Sequence, residues 1–371
     1  GQLNRLRDRG GVELLSDSAV AVIVHALKYW GEADGVGGVD LVVAAKGSGG
    51  VGWLEAPENP RDLKAWKYHK LADASWIMSL RKTDMDGDGD LDILGSDRKG
   101  KNSRVFWLEN PKGAGAWKEH VIGALGQQVM FLDIADLNGD GRREIVVPVP
   151  SRNLIILSPP KDPREKWQEH RISFPATYGT SKGARIVDVD GDGKMDIVGT
   201  CEHADKDLSG VFWLSYTKSP ADKNWTDHDI GGPVGLKYDR IEMIDLDGDG
   251  DLDLIVTNAA DAPDLLVNEG GNRLAWLRVR LVGVRANRAG IGARVIVRSG
   301  DTTQVDEVRA GSGYLSQNDL VLHFGLGSRT CVDSIEVRWP GGHIDIYHGP
   351  PINHTVTITE GAPNFQVVER P

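Results

Sequence analysis

The chain has 371 residues with 46 Gly and 17 Pro, a composition that favours a turn-dense all-β protein of about two domains. Its formal net charge of -11 and its lack of a basic tract argue against nucleic acid or anionic lipid as a partner. The sequence contains no apolar run of about 18 residues, so it predicts no membrane span.

The N-terminal region predicts extended structure and an imperfect first repeat. The segment GVELLSD, residues 11–17, is apolar, and we expect it to pair as the outer strand of the last repeat, because an unpaired sheet edge is a liability. The stretch GEADGVGGVD begins near Glu32 and carries acids in the register of a cation loop. Val36 stands where that loop needs an oxygen donor, so this first loop is degenerate.

Four later segments share one nine-residue pattern with oxygen-bearing side chains at positions 1, 3, 5 and 9 and glycine at position 6. Position 7 varies in chemistry, as expected where only its backbone carbonyl binds the cation. Carboxylates crowded this closely repel one another unless a cation lies among them. The predicted ligand positions are Asp84, Asp86, Asp88, Asp90, Asp92, Asp136, Asn138, Asp140, Arg142, Glu144, Asp188, Asp190, Asp192, Lys194, Asp196, Asp245, Asp247, Asp249, Asp251 and Asp253.

Hard oxygen donors without Cys or His favour Ca²⁺ over Zn²⁺, and flexible acidic loops favour Ca²⁺ over Mg²⁺. The alternative of plain solvated Asp-Gly turns is disfavoured by the fourfold recurrence of one donor register. EF-hands are excluded because position 12 is Gly95, Val147, Gly199 or Val256 instead of Glu. We therefore expect about four Ca²⁺, which would bring the net charge to about -3.

The loops recur with a regular period. Their first aspartates, at 84, 136, 188 and 245, are separated by 52, 52 and 57 residues. Repeats of about 50 residues that contain several short β-runs are typical of propeller blades. Five blades are expected, the first and last imperfect, and four of them carry a Trp-x-x-His motif on the last strand, which the fifth lacks. The histidines of these motifs are His69, His120, His170 and His228. We expect the imidazole of each to form a hydrogen bond with a neighbouring backbone group.

The C-terminal quarter alternates apolar and polar residues between Gly-rich turns, in runs such as ARVIVRSG, SIEVRWPGG and HTVTITEG. This pattern predicts a small β-sandwich. The segment GSGYLSQ, around Tyr314, is expected to form a tight glycine turn. No catalytic triad or phosphate-binding loop follows from the spacing, and we assign no catalytic residue.

Residues 1–272, through their Asp-x-Asp-x-Asp-Gly-x-x-Asp loops and WLENP strands, resemble FG-GAP/VCBS-type β-propeller repeats. Residues 273–371, through NRAGIGARVIVRSG, HFGLG and VDSIEVRWPGG, resemble an ASPIC/UnbV domain. The resemblance is to cartilage acidic protein-like and bacterial surface proteins. It implies an extracellular or cell-surface location, with the periplasm as an alternative, and loops of this type bind Ca²⁺ at levels found outside cells.

Blade geometry predicts where a ligand would bind. In an antiparallel meander, the loop between the first and second strands lies at the end opposite the turn between the second and third. The face opposite the calcium loops combines aromatic and charged residues, which suits a sugar or an anionic saccharide. The predicted ligand-binding residues are Trp76, Arg98, Tyr178, Lys182, Lys237 and Asp239.

Two functions remain open at this point. The first is a non-catalytic, calcium-stabilised binding or adhesion protein that recognises a glycan or an extracellular protein. The second is a carbohydrate lyase or dehydratase, since the blades also resemble the propeller of aldos-2-ulose dehydratase. In that alternative a Tyr or His base beside Lys182 or Arg98 would abstract a proton next to a carbonyl or carboxylate.

Overall fold

The structure is a computed structural model. It describes residues 23–27, 41–45, 50–59, 62, 64–111, 115–204, 207–222, 224–231, 238–245, 251–258, 264–268, 270, 273–309 and 319–368. Within these ranges the protein is all-β, as expected. They contain no helix that is both long enough and apolar enough to span a membrane. The chain divides into two compact units at residues 129 and 130; the first contains the first two sheets, and the second contains the others.

Five antiparallel sheets, each a meander in chain order, correspond to the five expected blades. Four have four strands, and the fifth has three described strands. The strands of the first unit are β1 Ile23–Leu27, β2 Leu41–Ala45, β3 Val51–Glu55, β4 Lys67–Ala72, β5 Ile77–Thr83, β6 Asp92–Asp97, β7 Arg104–Glu109 and β8 Lys118–Gly123. The blade strands of the second unit are β9 Asp133–Ala135, β10 Glu144–Val149, β11 Asn153–Ser158, β12 Gln168–Ser173, β13 Thr180–Val187, β14 Asp196–Glu202, β15 Val211–Tyr216, β16 Trp225–Gly231, β17 Tyr238–Ile244, β18 Asp253–Asn258 and β19 Asp264–Leu266.

Burial within a blade falls from its inner strands to its outer strand. Every residue of β6, β10 and β14 is buried, including the acidic residue that begins each strand. The fourth strands β4, β8, β12 and β16 are more exposed, with at most one fully buried residue each. The acidic loops join the first and second strands of their blades, as predicted, because glycine and aspartate interrupt the apolar run there.

The remaining strands form two four-stranded sheets. Their strands are β20 Ala275–Val282, β21 Arg294–Ser299, β22 Thr302–Glu307, β23 Val321–Gly327, β24 Ser334–Arg338, β25 Ile344–His348, β26 His354–Thr359 and β27 Gln366–Val368. One sheet has the order β23-β20-β26-β27 and the other β22-β21-β24-β25. Both contribute to one core, with Leu277, Phe324 and Val356 from the first sheet and Val295 and Ile335 from the second. This arrangement is the predicted β-sandwich.

The N-terminal segment 11–17, the degenerate loop at Glu32 and the turn around Tyr314 lie outside the described residues. Pairing of the N-terminal segment with the last blade therefore stays a prediction. Cys201, which is buried, and Cys331, which is exposed, are both free thiols.

Candidate metal centres and the opposite blade ends

The acidic loops share one hydrogen-bond pattern. In the loop from Asp136, the position-1 carboxylate accepts hydrogen bonds from the backbone N–H groups of Gly139 (2.9 Å) and Gly141 (2.8 Å). Asn138 at position 3 accepts from the N–H of Asp140 (2.8 Å), and the position-9 carboxylate, Glu144, accepts from that of Leu137 (3.0 Å). The N–H groups of the loop thus turn the side-chain oxygens toward one centre.

The loops from Asp84 and Asp188 repeat this pattern. The position-1 carboxylate accepts from the N–H at position 6 in both, at 3.2 Å from Gly89 and 2.9 Å from Gly193. The position-9 carboxylates, Asp92 and Asp196, accept from the N–H at position 2, at 2.8 and 3.0 Å. The same nine-residue sequence therefore produces the same local geometry in three different blades.

Glycine at position 6 is required by the backbone. Gly89, Gly141 and Gly193 adopt φ angles of 94°, 85° and 88°, in the left-handed region that side chains with a Cβ rarely occupy. This turn lets the N–H of position 6 point back at the position-1 carboxylate. The sequence prediction of a tight turn at this position is confirmed.

Two of the loops gather three carboxylates around a small volume. Asp84, Asp86 and Asp88 each offer an oxygen within 4.8 Å of the others, and a second group contains Asp188, Asp190 and Asp196. These residues occupy positions 1, 3 and 5 in one loop and 1, 3 and 9 in the other. Both clusters contain oxygen donors only.

Burial makes these carboxylates costly to keep charged without a cation. Desolvation raises the pKa of Asp188 to about 7, and that of Asp196 to about 9, with further contributions from neighbouring carboxylates. Desolvation likewise raises the pKa of Asp92 and Glu144 to about 8 and that of Asp136 to about 6. A bound divalent cation reverses this trend, because it supplies the opposite charge that the buried acids lack.

Two position-1 carboxylates each have one buried oxygen that accepts no hydrogen bond from the described residues. Oδ1 of Asp188 and Oδ1 of Asp245 are buried and have no hydrogen-bond partner in the described part of the chain. Buried polar atoms normally have a partner, so each of these oxygens is suited to a ligand. Hard, flexible, oxygen-only donor sets of this size fit Ca²⁺ well. The residues present therefore fit the expected ion.

The acidic loop of the fifth blade, which begins at Asp245, is described only in part. Asp245, Asp251 and Asp253 are buried, whereas Asp247 and Asp249 lie outside the described residues. The position-9 carboxylate, Asp253, accepts a hydrogen bond from the N–H of Asn268 at 2.9 Å. Asn110 makes the equivalent bond to Asp92 at 2.8 Å in the second blade.

Asn110 and Asn268 support the loops, and the loop pattern alone did not identify them. Each follows the third strand of its blade, and its side-chain amide donates to a backbone carbonyl at a loop, Leu91 in one case and Val189 in the other. The signal was present in the sequence as the shared Asn after the strands WLE and LLV. Tyr216 plays a comparable part by donating to the carbonyl of Leu137 at 2.9 Å.

The repeated histidines have a structural role that differs in detail from the expectation. His69, His120 and His228 stack on the Trp of the adjacent strand, with ring centroids 4.4, 4.6 and 3.8 Å apart. Their Nε2 atoms contact side chains, Glu55 Oε2 at 2.8 Å, Glu109 Oε2 at 2.6 Å and Ser215 Oγ at 2.8 Å. The expected backbone partner is thus replaced by a side chain of the third strand, because the antiparallel register brings that residue diagonally opposite.

At the blade end opposite its calcium loop, the second blade brings together part of the predicted ligand site. Arg98 and Lys99 place their cationic groups 5.2 and 4.3 Å from the centroid of the Trp76 ring. Asp97 orders this end by accepting hydrogen bonds from the N–H groups of Ser75 and Trp76, and it pairs with Arg104 at 3.3 Å. The result is a half-buried aromatic ring next to two positive charges.

Tyr178 and Lys182 lie at the equivalent end of the fourth blade but are each only 2% exposed. The Tyr178 hydroxyl donates to Asp227 at 3.0 Å, and Nζ of Lys182 pairs with Glu202 at 2.8 Å. Their expected solvent-facing position differs from the observed one because these partners, and the Phe131 ring near Lys182, hold both side chains inside the protein. Lys237 lies outside the described residues, and so does the side chain of Asp239.

The FG-GAP-like repeat family matches residues 84–147 and 188–256, and the ASPIC and UnbV family matches residues 283–364. These ranges contain all four intact acidic loops and most of the sandwich.

The sequence is similar to cartilage acidic protein 1. The Xenopus tropicalis protein is 29% identical over 268 residues, which cover 70% of this chain and 33% of that protein. The Mus musculus protein is 39% identical over 106 residues, or 27% of this chain and 16% of that one. The chain therefore spans at most a third of the length of these relatives.

Solved structures with some likeness include a thermostable family-43 glycoside hydrolase, with a TM-score of 0.42 and 12% identity over 67% of this chain and 91% of that one. The Vibrio cholerae biofilm matrix protein Bap1 has a TM-score of 0.35 and 11% identity over 96% of this chain and 63% of that one.

Proposed function

We propose that this chain, which carries FG-GAP-like repeats and an ASPIC/UnbV domain and is homologous to cartilage acidic protein 1, is a calcium-stabilised extracellular binding protein. It recognises an anionic glycan or an acidic protein segment through the blade ends opposite its calcium loops. Residues 1–272 form the repeat region, and residues 273–371 form the sandwich domain. About four Ca²⁺ bind, one in each intact loop.

The repeated geometry of the acidic loops carries this proposal. In three loops from different blades, the N–H of position 6 donates to the position-1 carboxylate, and two of these loops gather three carboxylates within 4.8 Å of one another. Four loops with this sequence place 17 acidic residues in short segments, an arrangement that costs free energy without a cation. The oxygen-only donor set and the extracellular calcium concentration, on the order of 1 mM, support Ca²⁺ as the resident ion.

The opposite end of the second blade supports the recognition part. Arg98 and Lys99 beside Trp76 present positive charge and an aromatic surface together. Such a combination binds carboxylates or sulfates by charge while the ring contacts an apolar face of the ligand. The name of the relatives, cartilage acidic protein, is in keeping with a partner in an extracellular matrix.

Isothermal titration of the calcium-free protein with Ca²⁺ tests the metal part. We expect about four binding events with dissociation constants of roughly 10⁻⁵ to 10⁻³ M. The same titration with Mg²⁺ is the control and should give much weaker binding, because Mg²⁺ loses its water reluctantly. A protein that binds no Ca²⁺ at millimolar concentration contradicts the proposal.

Binding to immobilised uronic-acid and sulfated oligosaccharides, and to acidic peptides, tests the recognition part. Lys99→Ala should weaken binding roughly tenfold, because it removes a cation next to Trp76. Lys101→Ala removes the same charge from the same exposed turn and is the matched control. Equal affinities for the two variants would place the ligand elsewhere.

A further inference from the structure

The sandwich meets the acidic loops of the third, fourth and fifth blades, all within the second compact unit. The closest approach is at the loop of the fourth blade, which begins at Asp188. A Cβ atom on Gly325, in strand β23, would overlap with Oδ2 of Asp188, the position-1 carboxylate. A Cβ on Gly327 would overlap with the backbone carbonyl oxygen of Asp192 at position 5. Only glycines at these two positions let the sandwich backbone lie directly on the loop.

Two arginines connect the sandwich to the loop of the third blade, which begins at Asp136. Arg294 of strand β21 donates to the carbonyl of Gly141, loop position 6, at 2.9 Å. In the other direction Arg143, position 8 of the loop, pairs with Glu307 of strand β22 at 2.8 Å. Both members of this pair are nearly inaccessible, with side-chain exposures of 7% and 5%. A buried charge pair of this kind requires that the two surfaces stay together.

The fifth loop is contacted at its first ligand position. Arg278 of strand β20 donates to Oδ2 of Asp245 at 2.6 Å, and the Asp245 side chain is 1% exposed. Beside the third loop, Arg309 pairs with Asp133 of strand β9 at 3.2 Å and donates to the carbonyl of Ile134 at 2.9 Å. Three consecutive blades thus present their acidic loops to one domain.

This contact removes loop carboxylates from water. Asp188 and Asp245, both at position 1, are 5% and 8% exposed, and each keeps a buried oxygen without a hydrogen-bond partner in the described residues. Arg278 compensates part of the charge of Asp245, whereas Asp188 has no ion pair among the described residues. A buried carboxylate with no compensating charge is costly, and separation of the two surfaces would return Asp188 to water. A cation among the carboxylates removes that cost and acts more strongly in the dry, docked state.

We propose that Ca²⁺ in the third, fourth and fifth loops controls docking of the sandwich domain, so that the calcium-loaded loops are the surface that the domain binds. This inference rests on the proposed calcium binding and extends it. Because coupling between two binding events is reciprocal, a weaker docking surface must also weaken Ca²⁺ binding. Docking of the sandwich should therefore depend on bound Ca²⁺, and docking should in turn raise the Ca²⁺ affinity of the loops.

The full chain tests this coupling through two readouts. The first is the rate of trypsin cleavage after Arg273, an exposed residue in the segment 267–274 between β19 and β20. We expect cleavage roughly tenfold faster in chelator than in Ca²⁺, because cleavage follows the population of the undocked state. The second is Ca²⁺ affinity, measured by titration.

Arg309→Met removes a docking contact without touching a predicted calcium ligand. It should lower the Ca²⁺ affinity roughly fivefold and speed cleavage in Ca²⁺. Arg280→Met is the matched control, because Arg280 is an exposed arginine two residues after Arg278 on strand β20. Its Ca²⁺ affinity and cleavage rate should equal those of the wild type. If Arg309→Met fails to fold, Glu307→Gln tests the same surface through the Arg143 pair.

The outcomes separate this inference from the proposed function. A chain that binds Ca²⁺ but is cleaved at one rate with and without it, and whose Arg309→Met variant keeps its affinity, overturns calcium-dependent docking alone. A chain that binds no Ca²⁺ overturns both proposals. Faster cleavage in chelator together with a weakened Arg309→Met variant supports the coupling.

Discussion

The blades and the sandwich use different physical means to hold a β-structure together. Each complete acidic loop places four or five oxygen-bearing side chains in nine residues and buries at least its position-9 carboxylate, whereas the sandwich closes over an apolar core that includes Leu277, Phe324 and Ile335. Charged residues of the sandwich pair with one another, as Arg298 does with Glu336 at 3.0 Å. The difference predicts that a bound cation stabilises the blades more than it stabilises the sandwich.

Removal of Ca²⁺ should produce the largest difference in stability between the blades and the sandwich. An ion that binds only the folded chain stabilises it by about 2.7 kcal/mol at a hundredfold excess over its dissociation constant. With about four ions, chelation should lower the blade melting temperature by on the order of 10 °C or more, and the sandwich transition by less, through the loss of docking alone. Calorimetry with and without chelator measures both transitions, and curves that overlay would contradict the comparison.

Shortening a core side chain of the sandwich should destabilise the sandwich more than the blades. Phe324 is fully buried, and Phe324→Ala should destabilise the sandwich by about 3 to 5 kcal/mol through the lost contacts and the cavity left behind. The free energy of unfolding from urea denaturation checks this value. The loss should be the same in Ca²⁺ and in chelator, and a loss that depends on calcium would contradict the assignment of Phe324 to a metal-independent core.

Loss of one calcium ligand should give a smaller, calcium-dependent effect. Asp190→Ala removes position 3 of the fourth loop and should forfeit up to about 2.7 kcal/mol in Ca²⁺ but little in chelator. Asp207→Ala, an exposed aspartate between the second and third strands of the same blade, is the matched control. Melting curves of both variants in both buffers test the prediction, which fails if the two variants lose equal stability.

A pH titration should reveal the carboxylate on which the sandwich depends. Burial tends to raise the pKa of Glu360, but hydrogen bonds from the N–H groups of Ala286, Val284 and Arg285 outweigh it, so the net pKa is lowered. A lowered pKa stabilises the fold above the unfolded value of 4.5, and this contribution is lost as the pH falls through the folded value.

Glu360→Gln should therefore cost about 1 to 3 kcal/mol at neutral pH and less in acid. The free energy of unfolding at several pH values measures the difference between the variant and the wild type. A difference that stays constant down to low pH would show that the side chain acts through its shape and not through its charge.

The sequence by itself determined the features that depend on neighbouring residues. Donor oxygens, the left-handed glycine and the hydrogen bonds from Gly141 to Asp136 all lie within nine residues, so the pattern predicts the loop geometry directly. Strand order within a blade also followed, because short turns place consecutive strands side by side. The predicted sandwich is confirmed for the same reason, since its alternating strands each have one apolar face.

Only the tertiary structure decided which residues are covered and by what. Nothing in the local sequence shows that Lys182 pairs with Glu202 inside its blade, or that Asp245 meets Arg278 and Arg143 meets Glu307. Those contacts join residues far apart in the chain, so they depend on how complete sheets pack and not on turn chemistry. In the sequence the acidic loops look like exposed, independent calcium sites. Packing of the sandwich sheets covers part of three of them, at points where the sandwich supplies glycine or arginine to meet the loop, such as Gly325 at Asp188 and Arg278 at Asp245.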